Sequence, residues 1–142
     1  MFKVKSQIEF DMAHYLSGYN GKCSNLHGHR YKLIVSIKSE TLHQEGQLKG
    51  MVDDFGNIKE KLKEIEDLFD HKLVIESNEE GLLLSEKLKE LPNSFDVLLV
   101  PYRPTAEEMS RDIFHKLKAM GLDVCEVELF ETPTNSCTYT ED

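Results

Sequence analysis

Two stretches near the start of the chain alternate between apolar and polar residues, which is the pattern of a half-buried β-strand. The first runs from Phe2 to Met12 and the second from Tyr31 to Ile37, with a polar, glycine-containing stretch between them. Consecutive strands joined in this way usually pair, so we expect an antiparallel pair. The apolar positions are Phe2, Val4, Ile8, Phe10 and Met12 in the first stretch and Tyr31, Leu33, Val35 and Ile37 in the second.

Two later stretches carry apolar residues at the spacing of an amphipathic helix. Asp54 precedes the first of them in the position of an N-cap. Thr105 and Glu108 have the spacing of a capping box at the start of the second, Pro104 comes just before it, and Gly121 ends it. The sequence therefore predicts two helices. Their apolar stripes are Ile58, Leu62, Ile65 and Phe69 in the first helix and Met109, Ile113, Leu117 and Met120 in the second.

The remaining segments are less regular. Residues 77–93 are charged and weakly periodic, which indicates a short helix or an irregular connection. Val127 and Leu129 alternate with glutamates, and a turn at residues 133–135 leads to a last short strand through residues 137–139. The predicted order of elements is strand, strand, helix, helix, strand, strand.

Length and composition narrow the class of protein. A chain of 142 residues suits a single domain over residues 1–142. A net charge of −9 argues against nonspecific nucleic-acid binding, and no apolar run is long enough to cross a membrane. The N-terminus carries no secretory signal, and three widely spaced cysteines without a CxxC pair favour a reducing cytoplasm.

Three histidines stand on the faces of the first two strands that are expected to be buried. His27 and His29 flank a glycine and continue the odd-numbered apolar series of the second strand, and His14 continues the even-numbered series of the first. If the strands pair, the three imidazoles converge at one end of the sheet. Three histidines with an open fourth position are typical of a catalytic zinc site. The alternative is a structural domain in which they are ordinary buried, hydrogen-bonded histidines.

Two further motifs have the chemistry of proton transfer. Cys23 precedes His27 by four residues and would act as a thiolate base near a metal, although a lone cysteine is more often a small buried apolar residue. Asp70 and His71 are adjacent, and a carboxylate that orients a histidine makes an acid–base pair. Neighbours in a regular strand point to opposite faces, so this pair requires an irregular backbone.

Glu131 extends the apolar face of Val127 and Leu129, where an unpaired carboxylate is costly. Such a residue needs a partner, either an internal arginine or the guanidinium-like edge of a ligand. A pterin ring presents such an edge, so Glu131 is a candidate for pterin recognition.

These motifs together resemble the 6-pyruvoyl-tetrahydropterin synthase / 6-carboxytetrahydropterin synthase family. The resemblance covers most of the chain in order, and the most specific part is CxxxHGH followed by DH and PTxE. The matching segments are Phe10–His14, Cys23–His29, Val52–Phe55, Phe69–His71, Pro104–Glu107 and Glu131–Thr132.

The resemblance implies a fold and an assembly. The expected fold is an α+β tunnelling fold (T-fold), in which a four-stranded antiparallel sheet carries two helices on one face. Subunits of this family associate into β-barrels, typically as hexamers, with active sites between subunits.

The resemblance also implies an activity. His14, His27 and His29 would bind Zn²⁺, Cys23 would be the base, and Asp70 with His71 the opposing proton carrier. Glu131 would anchor the pterin ring, and Thr105 would help to line the pocket. The substrate would be 7,8-dihydroneopterin triphosphate, and Lys22, Arg30 and Arg103 are candidates to bind its triphosphate.

Three interpretations remain open at this point. The short chain and compact CxxxHGH spacing favour the carboxy branch, which yields 6-carboxy-5,6,7,8-tetrahydropterin, acetaldehyde and triphosphate for 7-deazaguanine and queuosine synthesis. The alternative within the family is the pyruvoyl product, formed by triphosphate elimination. An alternative of another class is a non-catalytic relative that binds zinc or pterin. Residues 77–101 also look longer than in compact members of the family.

Overall fold

A computed structural model describes residues 1–142 and contains one six-stranded mixed sheet with three α-helices. The sheet order is β4-β3-β1-β2-β5-β6, antiparallel from β1 through β2 and β5 to β6 and parallel from β1 through β3 to β4. The strands are β1 (Phe2–His14), β2 (His27–Ser39), β3 (Lys72–Glu76), β4 (Val97–Val100), β5 (Val124–Thr132) and β6 (Asn135–Thr140), and the helices are α1 (Phe55–Phe69), α2 (Glu79–Lys89) and α3 (Ala106–Ala119).

The long β1–β2 hairpin confirms the expected antiparallel pair. Its register aligns His14 with His27 and Met12 with His29. Side chains alternate between the two faces of a strand, so the register brings the even residues of β1 and the odd residues of β2 to the same face. Phe10 and Tyr31 stack on that face with ring centroids 5.3 Å apart.

Helices α1 and α3 pack on this buried face and form the core with it. Asp54 caps α1 by accepting a hydrogen bond from the Gly56 amide, and Thr105 caps α3 by accepting one from the Glu108 amide. Both caps confirm the predicted helix starts, and Gly121 follows α3 with φ of 94°. The predicted stripes are buried except for the half-buried Met120, and they pack against Phe10, Tyr31, Leu33, Val127 and Leu129.

The prediction of a four-stranded antiparallel sheet with two helices was wrong in number and direction. Residues 72–100 add the parallel strands β3 and β4 and the helix α2. Val74 belongs to the core beneath α1 and α3, whereas the next residue, Ile75, is buried on the opposite face, against Gly81 of α2. A strand covered on both faces has no alternation, so this strand shows no period-two pattern. None of the three helices is long and apolar enough to span a membrane.

Replacing Gly81 by alanine is expected to destabilise the protein by about 2–3 kcal/mol, as overpacking does. A Cβ atom at this position would lie 1.9 Å from the Glu76 carbonyl oxygen and 2.8 Å from Cγ2 of Ile75, so α2 would have to move away from β3. Chemical denaturation measures the loss. Glu79→Ala, an exposed change in the same helical turn, is the control and is expected to cost less than about 1 kcal/mol. Equal stability of the two variants would contradict the close packing of α2.

Candidate metal centre and active site

Three imidazoles and one carboxylate meet at the end of the β1–β2 hairpin. Nε2 of His14 lies 3.1 Å from Nε2 of His27, and Oε1 of Glu131 lies 3.3 Å from Nε2 of both His14 and His29. The cross-strand register and the alternation of side chains bring the histidines together, and β5 supplies Glu131 at an irregularity in its pairing with β6. These four side chains form one group able to hold a metal ion.

Two backbone carbonyls fix the orientation of the rings. Nδ1 of His14 donates to the Pro104 carbonyl at 2.8 Å, and Nδ1 of His27 donates to the Asn25 carbonyl at 2.7 Å. In neutral rings these contacts place the proton on Nδ1 and leave the lone pair on Nε2. Metal-binding histidines typically donate their other nitrogen in this way.

The centre of the cluster requires positive charge. Two lone pairs at 3.1 Å repel each other, and the Glu131 carboxylate beside them adds negative charge. Donor atoms that share one tetrahedral zinc ion lie about 3.3 Å apart, close to the separations found here. The residues present therefore fit a zinc-type cation.

The electrostatics of the cluster favour the forms that bind a metal. Burial lowers the pKa of His29, although Glu131 acts in the opposite direction. The lowered pKa keeps the imidazole neutral at neutral pH. The pKa of Glu131 is lowered, first by its contact with His14 and then by the other two histidines, against the effect of its partial burial. Neutral imidazoles and an ionised carboxylate are both metal-ligating forms.

Tyr31 forms the floor beneath the cluster. Its ring is fully buried and meets the rings of His14 and His29 edge to face, at centroid distances of 6.2 Å and 5.8 Å. Burial, and secondarily Glu131, raises the pKa of the Tyr31 phenol, so it remains protonated. Tyr31 thus limits the movement of two of the three rings.

Asp70 and His71 form a second, separate group directly after α1. Nδ1 of His71 lies 2.8 Å from Oδ2 of Asp70, and Oδ1 of Asp70 accepts a hydrogen bond from the Asp11 amide. His71 has φ of 59°, the irregular backbone that such a pair requires. The Asp11 amide contact, ahead of the weaker contribution of His71, lowers the pKa of Asp70. An ionised Asp70 can orient the His71 ring for proton transfer.

The two groups lie on opposite faces of the sheet. The Asp11 side chain alternates with Met12 and His14, so it points away from the buried face, and it clusters there with Asp70 and His71. This group opens onto a cleft of about 510 Å³ whose lining includes Leu26 and Phe95 and, from β2, Gly28, His29 and Arg30. A single chain therefore does not bring the Asp70–His71 pair onto the same face as the histidine cluster.

The remaining predicted site residues do not belong to the cluster of three histidines and Glu131. Cys23 is half-buried in a short 3₁₀ turn (Lys22–Ser24) and has a free thiol. Thr105 caps α3 directly after Pro104, whose carbonyl holds His14. His29 and Glu131 line a neighbouring cleft of about 460 Å³ with Lys32 and Phe130 among its other residues, and this cleft shares Gly28, His29 and Arg30 with the first.

Two of the three cations considered for the triphosphate already have partners within the chain. Arg30 pairs with Asp11 at 2.9 Å and with Glu9 at 3.2 Å. The Arg103 guanidinium donates to the Ser17 carbonyl at 2.8 Å. Lys22 has no acidic side chain within 4.0 Å and is the freest of the three.

Sequence reasoning missed Asp11 and the Pro104 and Asn25 carbonyls. Asp11 reads as one more polar residue on the exposed face of β1, and backbone carbonyls leave no trace in a sequence. The position of Glu131 within the histidine cluster was also not predicted, although its place on an apolar face did indicate a partner.

Comparisons with known proteins identify the family of the chain. The family described as 6-pyruvoyl tetrahydropterin synthase matches residues 3–142. The 6-carboxy-5,6,7,8-tetrahydropterin synthase of Haemophilus influenzae is 42% identical, with 99% of this chain and 100% of that protein covered. The protein of the same name from Rickettsia bellii is 34% identical over 94% of this chain and 96% of its own length.

Solved structures show the same fold at low sequence identity. An uncharacterized protein from Wolinella succinogenes superimposes with a TM-score of 0.84 at 19% identity, covering 99% of this chain and 98% of its own. The 6-pyruvoyl tetrahydropterin synthase of Caenorhabditis elegans gives a TM-score of 0.69 at 24% identity, covering 99% and 96%. On the family match and the full-length relatives together, the chain belongs to the 6-pyruvoyl tetrahydropterin synthase family.

Proposed function

We propose that this protein is a zinc-dependent 6-carboxy-5,6,7,8-tetrahydropterin synthase. It converts 7,8-dihydroneopterin triphosphate to 6-carboxy-5,6,7,8-tetrahydropterin and releases acetaldehyde and triphosphate, a step of the 7-deazaguanine and queuosine pathway. The observation that carries the proposal is the convergence of three Nε2 atoms on one point beside Glu131. The full-length relatives named 6-carboxy-5,6,7,8-tetrahydropterin synthase favour this branch over the pyruvoyl branch.

His14, His27 and His29 hold the zinc ion in this proposal. Bound zinc acidifies the hydroxyls of the substrate side chain and stabilises negative charge that develops there. The Pro104 and Asn25 carbonyls keep the His14 and His27 rings oriented for this task.

Glu131 anchors the pterin ring, with Thr105 beside the pocket. A carboxylate binds the paired N–H donors of a pterin edge, and the cleft that Glu131 shares with His29 has room for a ring. Because Glu131 contacts two of the histidines, a pterin held there has its side chain close to the metal.

Cys23 and the Asp70–His71 pair carry protons on opposite sides of the substrate. Cys23, four residues before His27, removes a side-chain proton as the thiolate. His71, oriented by ionised Asp70, gives or takes the second proton. The chain contains Cys23, Asp70 and His71 in addition to the metal ligands, which argues against a relative that only binds zinc or pterin.

The complete site forms between subunits. The Asp70–His71 pair and the histidine cluster lie on opposite faces of the sheet of one chain, which supports a site in which a second copy presents its pair to the first copy's cluster. A closed ring of identical subunits achieves this for every copy at once. We expect a β-barrel assembly, typically a hexamer.

The working compartment proposed is the cytoplasm, with residues 1–142 acting as one domain. Cys23, Cys125 and Cys137 are all free thiols. Free thiols persist where the environment is reducing, and Cys23 must remain reduced to act as a base.

A product assay tests the proposal. Purified protein with a measured zinc content is given 7,8-dihydroneopterin triphosphate, and the expected products are acetaldehyde and 6-carboxy-5,6,7,8-tetrahydropterin. A 6-pyruvoyl product would move the protein to the other branch of the family while leaving the site as proposed. Tight pterin binding without any turnover by the zinc-loaded protein would favour the non-catalytic relative.

A further inference from the structure

His14 is the most deeply buried of the three histidines, at 1% exposure, and one short polar contact orients its imidazole together with the neighbouring Tyr31 ring. That contact is the hydrogen bond from Nδ1 to the Pro104 carbonyl. Pro104 lies in the irregular segment between β4 and α3, where no strand or helix ladder fixes the backbone. The Thr105 amide spans Pro104 by donating to the Arg103 carbonyl at 2.7 Å, and the Arg103 side chain provides a second contact that can hold the Pro104 carbonyl in place.

Arg103 closes a ring that includes His14 and Pro104. The Arg103 guanidinium donates through Nη2 to the Ser17 carbonyl at 2.8 Å, and Ser17 follows His14 by three residues. The chain from His14 to Ser17, the bond to Arg103, the peptide to Pro104 and the bond back to His14 thus form a closed circuit. Removing the guanidinium breaks the contact between Arg103 and the Ser17 carbonyl, which leaves the Pro104 segment less constrained.

Ser17 is a firm anchor for this arginine. Its hydroxyl donates to Glu80 at 2.7 Å and accepts a bond from the Asn78 amide at 3.2 Å. Asn78 caps α2 through the Gly81 amide, so the anchor is tied to a helix that packs on β3. Arg103 therefore transmits the position of α2 to the loop that orients His14.

We propose that Arg103 is a positioning residue for the metal site, acting through the Pro104 carbonyl on His14, rather than a ligand for the triphosphate. The proposal rests on the metal site of the proposed function. Partners of a metal-binding histidine typically change metal affinity 10–100-fold when they are lost. Arg103 acts one residue away from such a partner, so the effect belongs at the lower end of that range.

The zinc affinity of the whole 142-residue chain tests the positioning role of Arg103. Zinc-loaded protein is titrated with a chromophoric chelator at fixed pH, and Arg103→Met is expected to raise the dissociation constant about tenfold. The Co²⁺-substituted variant is expected to show altered visible absorption, because the His14 ring is no longer held in one orientation. Arg103→Gln, whose side chain is too short to reach Ser17, replaces the methionine variant if the latter does not fold.

Two controls separate positioning from charge and from stability. Arg111→Met removes a cation whose guanidinium pairs with Glu108 on the surface, and Asp54→Ala removes the cap of α1. Both are expected to keep the zinc affinity within twofold and the Co²⁺ spectrum of the unaltered protein. An Arg103 variant that matches these controls in either measurement overturns the proposal. Failure of the unaltered protein to bind zinc would instead overturn the metal site itself.

Discussion

Alanine in place of His27 is expected to weaken zinc binding by more than 100-fold, since loss of even an indirect partner costs about 10–100-fold. The His27 ring supplies one of the three Nε2 atoms that bind zinc in the proposed site. The hydrogen bond from its Nδ1 to the Asn25 carbonyl already orients the ring for metal binding. Removing it leaves only two imidazole ligands, those of His14 and His29, which are too few to hold the ion tightly. Turnover of 7,8-dihydroneopterin triphosphate is expected to disappear with the metal.

Zinc content after dialysis, and a chelator competition, measure the effect. His43→Ala is the matched control, because His43 is exposed in the segment between β2 and α1 and belongs to neither ligand group. It should retain one zinc per chain. Full zinc occupancy in His27→Ala would show that the metal ligands have been misassigned. The fold itself should survive, since His27 is only half-buried and lies at the start of its strand.

The histidine cluster was predictable because strand alternation constrains it strongly. Once β1 and β2 pair as a hairpin, even residues of one and odd residues of the other must share a face, and the register then aligns His14 with His27. The same logic identified β5 and the stripes of α1 and α3. Where one face of an element is buried and the other exposed, the spacing of apolar residues predicts both the type of element and its buried face.

The parts of the fold and of the site that were not predicted have no such spacing of apolar residues. Val74 and Ile75 of β3 are both buried, on opposite faces, so the strand shows no period of two, and α2 has few buried residues to mark its stripe. The Pro104 carbonyl that orients His14 is backbone, and Arg103 resembled any loop cation. These positions depend on contacts between segments that are far apart along the chain, which local patterns do not contain.

Mixing two inactive variants is expected to restore activity. Cys23→Ala removes the proposed base and His71→Ala the proposed acid–base partner, so each variant alone should keep its zinc and lose turnover. Co-expression of the two as differently tagged chains gives mixed assemblies. If each site takes Cys23 from one subunit and His71 from its neighbour, random mixing leaves about a quarter of the sites with both groups intact. Activity per site should therefore recover to about a quarter of the unaltered value.

A site contained in one chain gives a different result. Every chain in the mixture then lacks one of the two groups, and the mixed assemblies stay inactive. A second mixture sharpens the contrast: the double variant with unaltered chains should keep about a quarter of full activity for a shared site but about half for a one-chain site. The opposite faces occupied by the Asp70–His71 pair and the histidine cluster predict the shared-site values in both mixtures.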